Sequence, residues 1–553
     1  MRKKSSLNPQ KLYFIPLGGA GEIGANLNVY SYDGKLLIVD IGVSFEKLPG
    51  AEVIMPSLSF LKEQAKNIKG IIITHAHEDH IGAVGHLWPE LQCPIYATPF
   101  TARFAEHKLR EQHIKARVTH IPLSGTVDLD PFKVRFVELT HSILEPNALA
   151  IETPKGTILH TGDWKIDHTP VMGKITDKKT LKALGKKGIL AAVCDSTSVF
   201  EKGWSGSEET VKETLIQTVK DHPDNRVVVA CFASNAARLL SCYKAAQATG
   251  RRMALVGRSL DRIDRIIRDS GYFDDMPPFL TEKETKNISP SKLLIVCTGS
   301  QGEPRAALMR IANKIHPRVA LDAGDVVIFS SRIIPGNEKS IYALQNQLVR
   351  RGIDVITAKD IPNIHVSGHP SQDELKEMYS WLKPKSVIPV HGEDRHIDMH
   401  AQLARAWGVK HTICPRNGDI ICIDEEIGPQ KVGEVVSGHL ALDGRRLISV
   451  EGNIFKERER LSVAGIICIS LVLNAKNHLT DCQISELGVQ EPDEHEEFVD
   501  TLGSITQRSF NRLRSEERDD EDAIEGVLVK DIHRYCQDTI GKKPYVFFHI
   551  MRP

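Results

Sequence analysis

Residues 70–80 read Gly-Ile-Ile-Ile-Thr-His-Ala-His-Glu-Asp-His. The first five have the length and Ile content of a buried strand, and Ile81-Gly82-Ala83-Val84 with Leu87 begins a helical period. His75, His77, Asp79 and His80 therefore stand in a loop where a strand hands over to a helix, a junction at which side chains can converge on one point. Imidazoles with a carboxylate and no thiolate suit Zn²⁺ or Mn²⁺ in a hydrolytic site better than a structural zinc. Further groups of the same kind follow other apolar strands. The run 134–139 continues through Thr140 to His141, 157–161 continues through Gly162 to Asp163, and Ser386–Val390 ends at His391 before Gly392. Singly each reads as a turn residue; together with the cluster they read as one metal centre drawn from several strand ends.

A chain of 553 residues exceeds one hydrophobic core and has room for about three to four domains. Its 41% hydrophobic and 26% charged content is that of an ordinary soluble protein, and no stretch approaches the ~20 apolar residues of a membrane span. The basic start Met1-Arg2-Lys3-Lys4 is followed by no apolar segment or cleavage site, which gives a cytoplasmic expectation. The ten cysteines contain no Cys-x-x-Cys pair, and several sit inside apolar runs, as reduced core thiols do. Basic and acidic residues balance at 71 each, so net charge gives no reason to propose nucleic acid. The most basic window, from Arg251 to Arg268, carries Asp261, Asp264 and Asp269 as local partners and reads as a solvated helix face.

From residue 11 to about 162 the pattern is strand-rich, with a hairpin signal at Asp33-Gly34 and helical periods at 58–67, 81–91 and 100–112. After Ser207, which caps a helix over 208–219, strands and helices alternate as far as 351, and this rhythm predicts a parallel sheet with helices on its faces. Its strands end in small polar residues, among them Ala233-Ser234-Asn235, that suit phosphate binding at helix starts. Beyond residue 446 a strand at 465–473, helices at 497–513 and 523–537 and an apolar end at 545–550 predict a small α/β unit. The acidic stretch 516–522 reads as a solvated loop.

Along nearly its full length the sequence resembles the metallo-β-lactamase-fold nucleases of the β-CASP group, and within them the bacterial ribonuclease J family. The matching features are Asp40 in Ile38-Val39-Asp40-Ile41-Gly42, the cluster from His75 to His80, His141 and Asp163. To these are added Asp195 in Cys194-Asp195-Ser196-Thr197, His369 in His365-Val366-Ser367-Gly368-His369, and His391 in Pro389-Val390-His391-Gly392-Glu393. The cluster is common to the whole superfamily; the last three positions and the inserted α/β segment point to the nucleases. Ala76 stands where a glycine is common, and 435–444 only partly resembles the family's usual end to this domain.

The resemblance implies an αββα sandwich over residues 1–207 and 365–446, an inserted parallel-sheet β-CASP domain over 208–364, and a C-terminal α/β domain over 447–553. It implies two divalent ions, zinc in the first place with manganese or magnesium as alternatives. His75, His77 and His141 would hold one, Asp79, His80 and His391 the other, and Asp163 would bridge. His369 is the expected general acid with Asp195 orienting it, and Asp40 the expected support for the cluster. Ala233, Ser234 and Asn235 with His365, Val366, Ser367, Gly368 and His369 would bind substrate, including a 5′-phosphate. The expected activity is 5′→3′ exonuclease with endonuclease cutting, leaving 5′-phosphates, in RNA maturation and mRNA decay. Expected partners are RNA and a second copy of the chain in a homodimer or homotetramer, or a paralogue in a hetero-complex, with no membrane. Rival readings of the same residues are a thioesterase or lactonase of this metal fold, a weakly active subunit of a paired nuclease, and a DNA-repair nuclease of the same group.

Overall fold

A computed structural model describes residues 7–552; the basic stretch 1–6 lies outside the described residues. Two sheets face each other. The first has the order Gly428–Glu434, Asp419–Asp424, Leu12–Gly18, Leu27–Tyr32, Lys35–Val39, Ile68–Ile72, Ile95–Ala97, Val118–His120. The second has the order Thr126–Leu129, Phe132–Glu138, Asn147–Thr153, Gly156–His160, Ala191–Asp195, Ser386–Val390, His411–Thr412. Phe14, Tyr30, Leu37, Val39 and Ile72 of the first pack on Phe132, Phe136, Leu149, Ile151, Val193 and Val390 of the second. Each such side chain contributes roughly 1.5–3 kcal/mol on burial, so this apolar layer joins the sheets. Helices Lys178–Lys187, Gln372–Leu382 and Asp394–Ala406 cover the outer face of the second sheet through Leu181, Leu184, Leu375, Met378 and Ala404. Helix Pro99–Glu111 packs on the far strands of the first. The layers are therefore helix, sheet, sheet, helix.

Strand direction places the site. Phe132–Glu138 and Gly156–His160 both run antiparallel to Asn147–Thr153 between them, and Gly156–His160, Ala191–Asp195 and Ser386–Val390 are parallel neighbours. All four end at one edge of the second sheet. In the first sheet Lys35–Val39 and Ile68–Ile72 are parallel, which brings Asp40 beside the start of the histidine cluster.

The alternating segment forms a wholly parallel sheet in the order Arg252–Val256, Leu293–Cys297, Val227–Ala230, Val326–Phe329, Asp354–Ile356. Its first helix, Glu208–Lys220, is tied to its second, Ala236–Ala248, by an ion pair in which Arg238 Nη2 lies 3.2 Å from both Glu208 carboxylate oxygens. These side chains are 0% and 4% exposed. Arg238 also donates to the Ser330 carbonyl, and the Ser330 hydroxyl donates to the Ile364 carbonyl, so one buried guanidinium anchors the segment that leads to His365. Removing one partner of such a pair strands a buried charge. Glu208→Gln is therefore expected to destabilise this part of the chain by about 3–5 kcal/mol, with Glu208→Gln/Arg238→Met recovering most of it. Denaturant midpoints check this, and an unchanged midpoint for the single variant counts against it.

The residues divide into two compact units: one runs through Phe45 and resumes over Val53–Leu440, and the other joins Glu46–Glu52 to the chain from Ala441 onward. In the second unit Ile466–Leu473 lies between Leu479–Leu487 and Tyr545–Met551. Ile467, Ile469, Leu471 and Leu473 share one face, and helices His495–Asn511 and Glu521–Ile540 cover it through Phe498, Leu502, Ile524, Leu528 and Ile532.

Several elements depart from the sequence reading. Asp79 and His80 lie in a helical turn, Glu78–Ile81, that opens directly at His77, so the cluster is only partly a loop. The acidic stretch is not a loop throughout: Ser515–Arg518 forms a 3₁₀ turn, and Glu521–Ile540 begins with Asp520 as its cap and Glu521 and Asp522 in its first turn. Carboxylates there satisfy free amides and oppose the positive end of the helix dipole. The sequence reading did not include strands Asp419–Asp424 and Gly428–Glu434 at the sheet edge, helix Asn453–Ala464, or strand Leu479–Leu487.

Candidate metal centre

The centre is built outward from Asp40, which is fully buried and takes a left-handed backbone, φ 64°. Its Oδ1 accepts from the Thr74 amide at 2.8 Å, its Oδ2 accepts from the Thr74 hydroxyl at 2.9 Å, and its Oδ2 also lies 2.7 Å from His80 Nδ1. Thr74 Oγ1 stands 3.0 Å from His75 Nδ1. With its own hydrogen given to Asp40, that hydroxyl accepts from His75. Both imidazoles thus spend their Nδ1 hydrogens on the scaffold, and their Nε2 lone pairs turn inward. His141 does the same through Nδ1 to the Gly368 carbonyl. His391, also left-handed at φ 53°, has its Nδ1 3.1 Å from Asn26 Oδ1. Left-handed backbone at non-glycine residues costs of order 1–3 kcal/mol each and persists where the surroundings enforce it.

Asp163 is the common member. Three donor groups have ligand atoms within 4.8 Å of one another: His75, His77, His141 and Asp163; Asp79, His80, Asp163 and His391; and Asp163, Asp195, His369 and His391. Asp163 Oδ2 lies 3.8 Å from His75 Nε2, 3.7 Å from His141 Nε2 and 3.5 Å from His391 Nε2. Asp163 Oδ1 lies 3.1 Å from His80 Nε2. His75 Nε2 and His391 Nε2 are buried without a hydrogen-bond partner among the described residues. Such orphans are costly unless a further group satisfies them, and nitrogen and carboxylate lone pairs aimed at one space fit a divalent cation.

Electrostatics agree for three of the rings, whereas at His80 burial is outweighed by Asp163, Asp40 and Asp79, which hold it well above the usual imidazole range and favour its charged form until a cation takes the place of that proton. Burial, and after it His80, holds His75 well below the usual imidazole range, and burial pushes His77 down to about 4. Burial likewise holds His141 low, reinforced by His77 and His369. These rings are neutral and able to ligate. Burial opposes charge on Asp163, but His391, His80 and His369 outweigh it and keep the carboxyl ionised. Burial also opposes charge on His369, and Asp195 and Asp163 reverse this, raising it to about 9. His369 Nδ1 sits 2.8 Å from Asp195 Oδ2, while Asp195 Oδ1 accepts from the Thr197 amide and hydroxyl.

The substrate positions form a more dispersed set. Asn235 is buried and caps helix Ala236–Ala248 by accepting from the Arg238 amide, while Ala233 and Ser234 are half-buried beside it. Ser367 Oγ is 3.2 Å from Ser198 Oγ and accepts from the His369 amide at 3.1 Å; Ser198 in turn accepts from Arg332 at 3.3 Å. Val366 and Gly368 are buried, and His365 has a buried Nδ1 without a partner. Burial, and after it Arg238, Lys165 and Arg332, holds His365 neutral. No hydrogen bond joins Ser234 to Ser367; Arg238, Ser330 and Ile364 link their segments.

Asn26 was not among the sequence candidates. Its Nδ2 bonds the Asp79 carbonyl at 3.0 Å and lies 3.1 Å from His80 Nε2, and its Nδ2 and Oδ1 stand 2.9 Å and 3.1 Å from His391 Nδ1, so one amide spans both sides of the second donor group. The available signal was the run Gly18-Gly19-Ala20-Gly21 just before it. A Cβ on Gly19, whose φ is +83°, would stand 2.2 Å from Asn26 Oδ1, and the Gly19 carbonyl accepts from the His391 amide. Glu374, fully buried, accepts from the Ile166, Ser205 and Ser371 amides and fixes the loop after Asp163.

A two-sheet sandwich with a histidine and aspartate donor cluster at its edge defines a metal-binding hydrolase of the metallo-β-lactamase class, and residues 21–175 match the metallo-beta-lactamase superfamily. Residues 224–348 match the ribonuclease J beta-CASP domain, 353–415 the Zn-dependent metallo-hydrolase RNA specificity domain, and 453–553 the ribonuclease J C-terminal domain. Ribonuclease J of Sinorhizobium meliloti is 40% identical over 98% of both chains. Ribonuclease J 1 of Streptococcus pyogenes is 33% identical over 99% of both. Ribonuclease J of Helicobacter pylori strain J99 is 37% identical over 88% of this chain and 71% of its own. A crystal structure of a protein of unknown function from Enterococcus faecalis V583 shares the fold, with TM-score 0.52 and 14% identity over 74% of this chain and 100% of its own. The chain belongs to the ribonuclease J family and is a metal-dependent, RNA-binding ribonuclease. Among the described residues no helix is long and apolar enough to cross a membrane.

Proposed function

We propose that the protein is a cytoplasmic 5′→3′ exoribonuclease with endonuclease activity, serving RNA maturation and mRNA decay and leaving 5′-phosphate ends. The observation that carries the reading is the place of Asp163 in all three donor groups, which suits one carboxylate serving two ions. His75, His77 and His141 would hold one ion and Asp79, His80 and His391 the other, with zinc favoured by the imidazole-rich set and manganese or magnesium as alternatives. When bound, such a pair supplies a nucleophile at neutral pH and neutralises charge on the scissile phosphate. Asp40 and Asn26 orient the donor rings and hold their tautomers. His369, protonated and 21% exposed, gives its Nε2 proton to the departing 3′-oxygen. Asp195 accepts from Nδ1 throughout, which keeps the ring aimed and stabilises its charged form.

For exonuclease action a 5′-phosphate must be held at a fixed distance from the scissile bond. Ser234 and Ser367 offer hydroxyls, and Arg332, 46% exposed beside Ser198, offers a cation. Replacing both serines by leucine is expected to reduce exonuclease cleavage of 5′-monophosphorylated RNA by roughly 10²-fold, far more than internal cutting, because binding energy at a remote phosphate positions the reacting bond. Both activities are read on one labelled RNA with a 5′-monophosphate or a 5′-hydroxyl. Equal losses on the two substrates would move 5′-end sensing elsewhere.

The C-terminal sheet leaves Leu487, Phe547 and Met551 at 76%, 46% and 47% exposure. A second copy of the chain is the proposed cover for them, in a homodimer or a larger symmetric assembly. Light scattering on Leu487→Lys/Phe547→Lys protein is expected to show a smaller species than wild type, and an unchanged size excludes this face.

A further inference from the structure

The carboxyl ends of three adjacent strands of the parallel sheet enclose a cavity of about 420 Å³, of whose lining the ribonuclease reading uses only Ala233. Cys231, Phe232 and Ala233 line it after Val227–Ala230, Gly257, Arg258 and Ser259 after Arg252–Val256, and Thr298, Gly299 and Ser300 after Leu293–Cys297. From Val227–Ala230 the chain proceeds two places to one side of the sheet, and from Leu293–Cys297 two places to the other. Connections that leave in opposite directions open a crevice at the carboxyl edge, where open parallel sheets bind their ligands.

The lining is cationic and unspent. Arg258, Arg305 and Arg310 all reach the cavity, and none of the three guanidinium groups has a hydrogen bond or ion pair among the described residues. In the same domain Arg238 is committed to Glu208, Arg251 to the Leu293 carbonyl, Arg268 to Asp264 and Arg351 to the Ile311 carbonyl. The exposed Arg252, Arg318 and Arg350 are also unpaired among the described residues, and what sets Arg258, Arg305 and Arg310 apart is that all three line one cavity. His316 adds a donor. Its side chain is 3% exposed, and its Nδ1 accepts from the Val319 amide at 3.1 Å, which leaves the hydrogen on Nε2. The nearest carboxylate to that nitrogen, Glu282, is 3.9 Å away, beyond hydrogen-bond reach. A donor on a largely buried ring is thus left at the wall of the cavity.

Helix Arg258–Asp269 opens on the same space with no side-chain cap, so the amides of its first turn face it. Gly257, at φ +128°, makes the approach possible, since a Cβ there would lie 2.6 Å from Thr298 Oγ1. Glu282 and Glu303 complete the wall. Carboxylates beside a phosphate-binding turn suit ribose hydroxyls, which favours a nucleotide over a bare anion.

We propose that this cavity is a nucleotide-binding site separate from the metal centre, in which Arg258, Arg305, Arg310 and the start of helix Arg258–Asp269 hold phosphate while Glu282 or Glu303 holds a ribose hydroxyl. The nucleotide is either free or part of an RNA strand crossing the domain. The test uses full-length protein with two probes: ADP, followed by calorimetry, and a fluorescent 2′-O-methyl RNA with a 5′-hydroxyl, followed by anisotropy. Arg305→Gln/Arg310→Gln is expected to weaken binding of at least one probe tenfold or more with unchanged metal content. Ser259→Asp, which sets a carboxylate in the same cavity from another strand end, is expected to do the same. Loss confined to ADP identifies a free nucleotide, and loss confined to the oligonucleotide identifies a strand of RNA. Equal affinity of wild type and both variants for both probes overturns the proposal.

Discussion

Asp163→Asn is expected to abolish RNA cleavage, by more than about 10⁴-fold, because the cation that this carboxylate would help to hold would supply a nucleophile at neutral pH. The effect should exceed that of any single histidine change. His77 belongs to one donor group, whereas Asp163 belongs to all three and is the carboxylate on which His75, His80, His141 and His391 converge. The isosteric amide removes the charge while keeping the volume, so Asp163→Asn should fold normally and bind less metal. Elemental analysis of the purified variant beside a labelled-RNA assay reads both effects. Wild-type turnover with a full metal complement would overturn the assignment of this carboxylate.

His369→Ala should lower the chemical step by about 10²–10⁴-fold while metal content stays unchanged, which is the range for loss of one proton donor. Geometry leaves a rival role open to experiment, since His369 also stands within the third donor group with Asp163, Asp195 and His391. Metal loss on substitution would make it a ligand. Asp195→Asn supplies the second readout. Asp195 raises the His369 pKa, so the neutral amide lets it fall, and the alkaline limb of the rate profile, where His369 gives up its proton, should move to lower pH. An unmoved limb with reduced rate would reduce Asp195 to a support for the Thr197 turn, whose amide and hydroxyl it already binds.

The donor residues were legible because each obeys a local rule. His75, His141, Asp163 and His391 all follow apolar strands, and a polar residue just past a buried strand must either turn to solvent or meet others of its kind. The parallel sheet was legible in the regular alternation from 208 to 351, where a helix between successive strands returns the chain to the same edge of the sheet. Other parts left no such trace. Strand Asp419–Asp424 carries the apolar run Ile420-Ile421-Cys422-Ile423, yet nothing in it names Leu12–Gly18 as its partner. Residues 46–52 belong with a unit nearly four hundred positions later, and Arg458, which reaches the Pro49 carbonyl from that later segment, is one charged residue among many on its helix. Asn26 escaped because an amide spanning His80 and His391 looks, in sequence, like any polar residue after a glycine turn.

Local spacing alone thus determined which side chains carry lone pairs at strand ends and what kind of ion they suit. Which of those side chains share Asp163, and that His369 meets Asp195 instead of solvent, was decided only on folding. The physical reason is strand direction: side chains as far apart in sequence as His141 and His391 become neighbours because Phe132–Glu138, Gly156–His160, Ala191–Asp195 and Ser386–Val390 point the same way in one sheet. Direction is set by pairing across the sheet and by the apolar layer beneath it, and no single strand contains it.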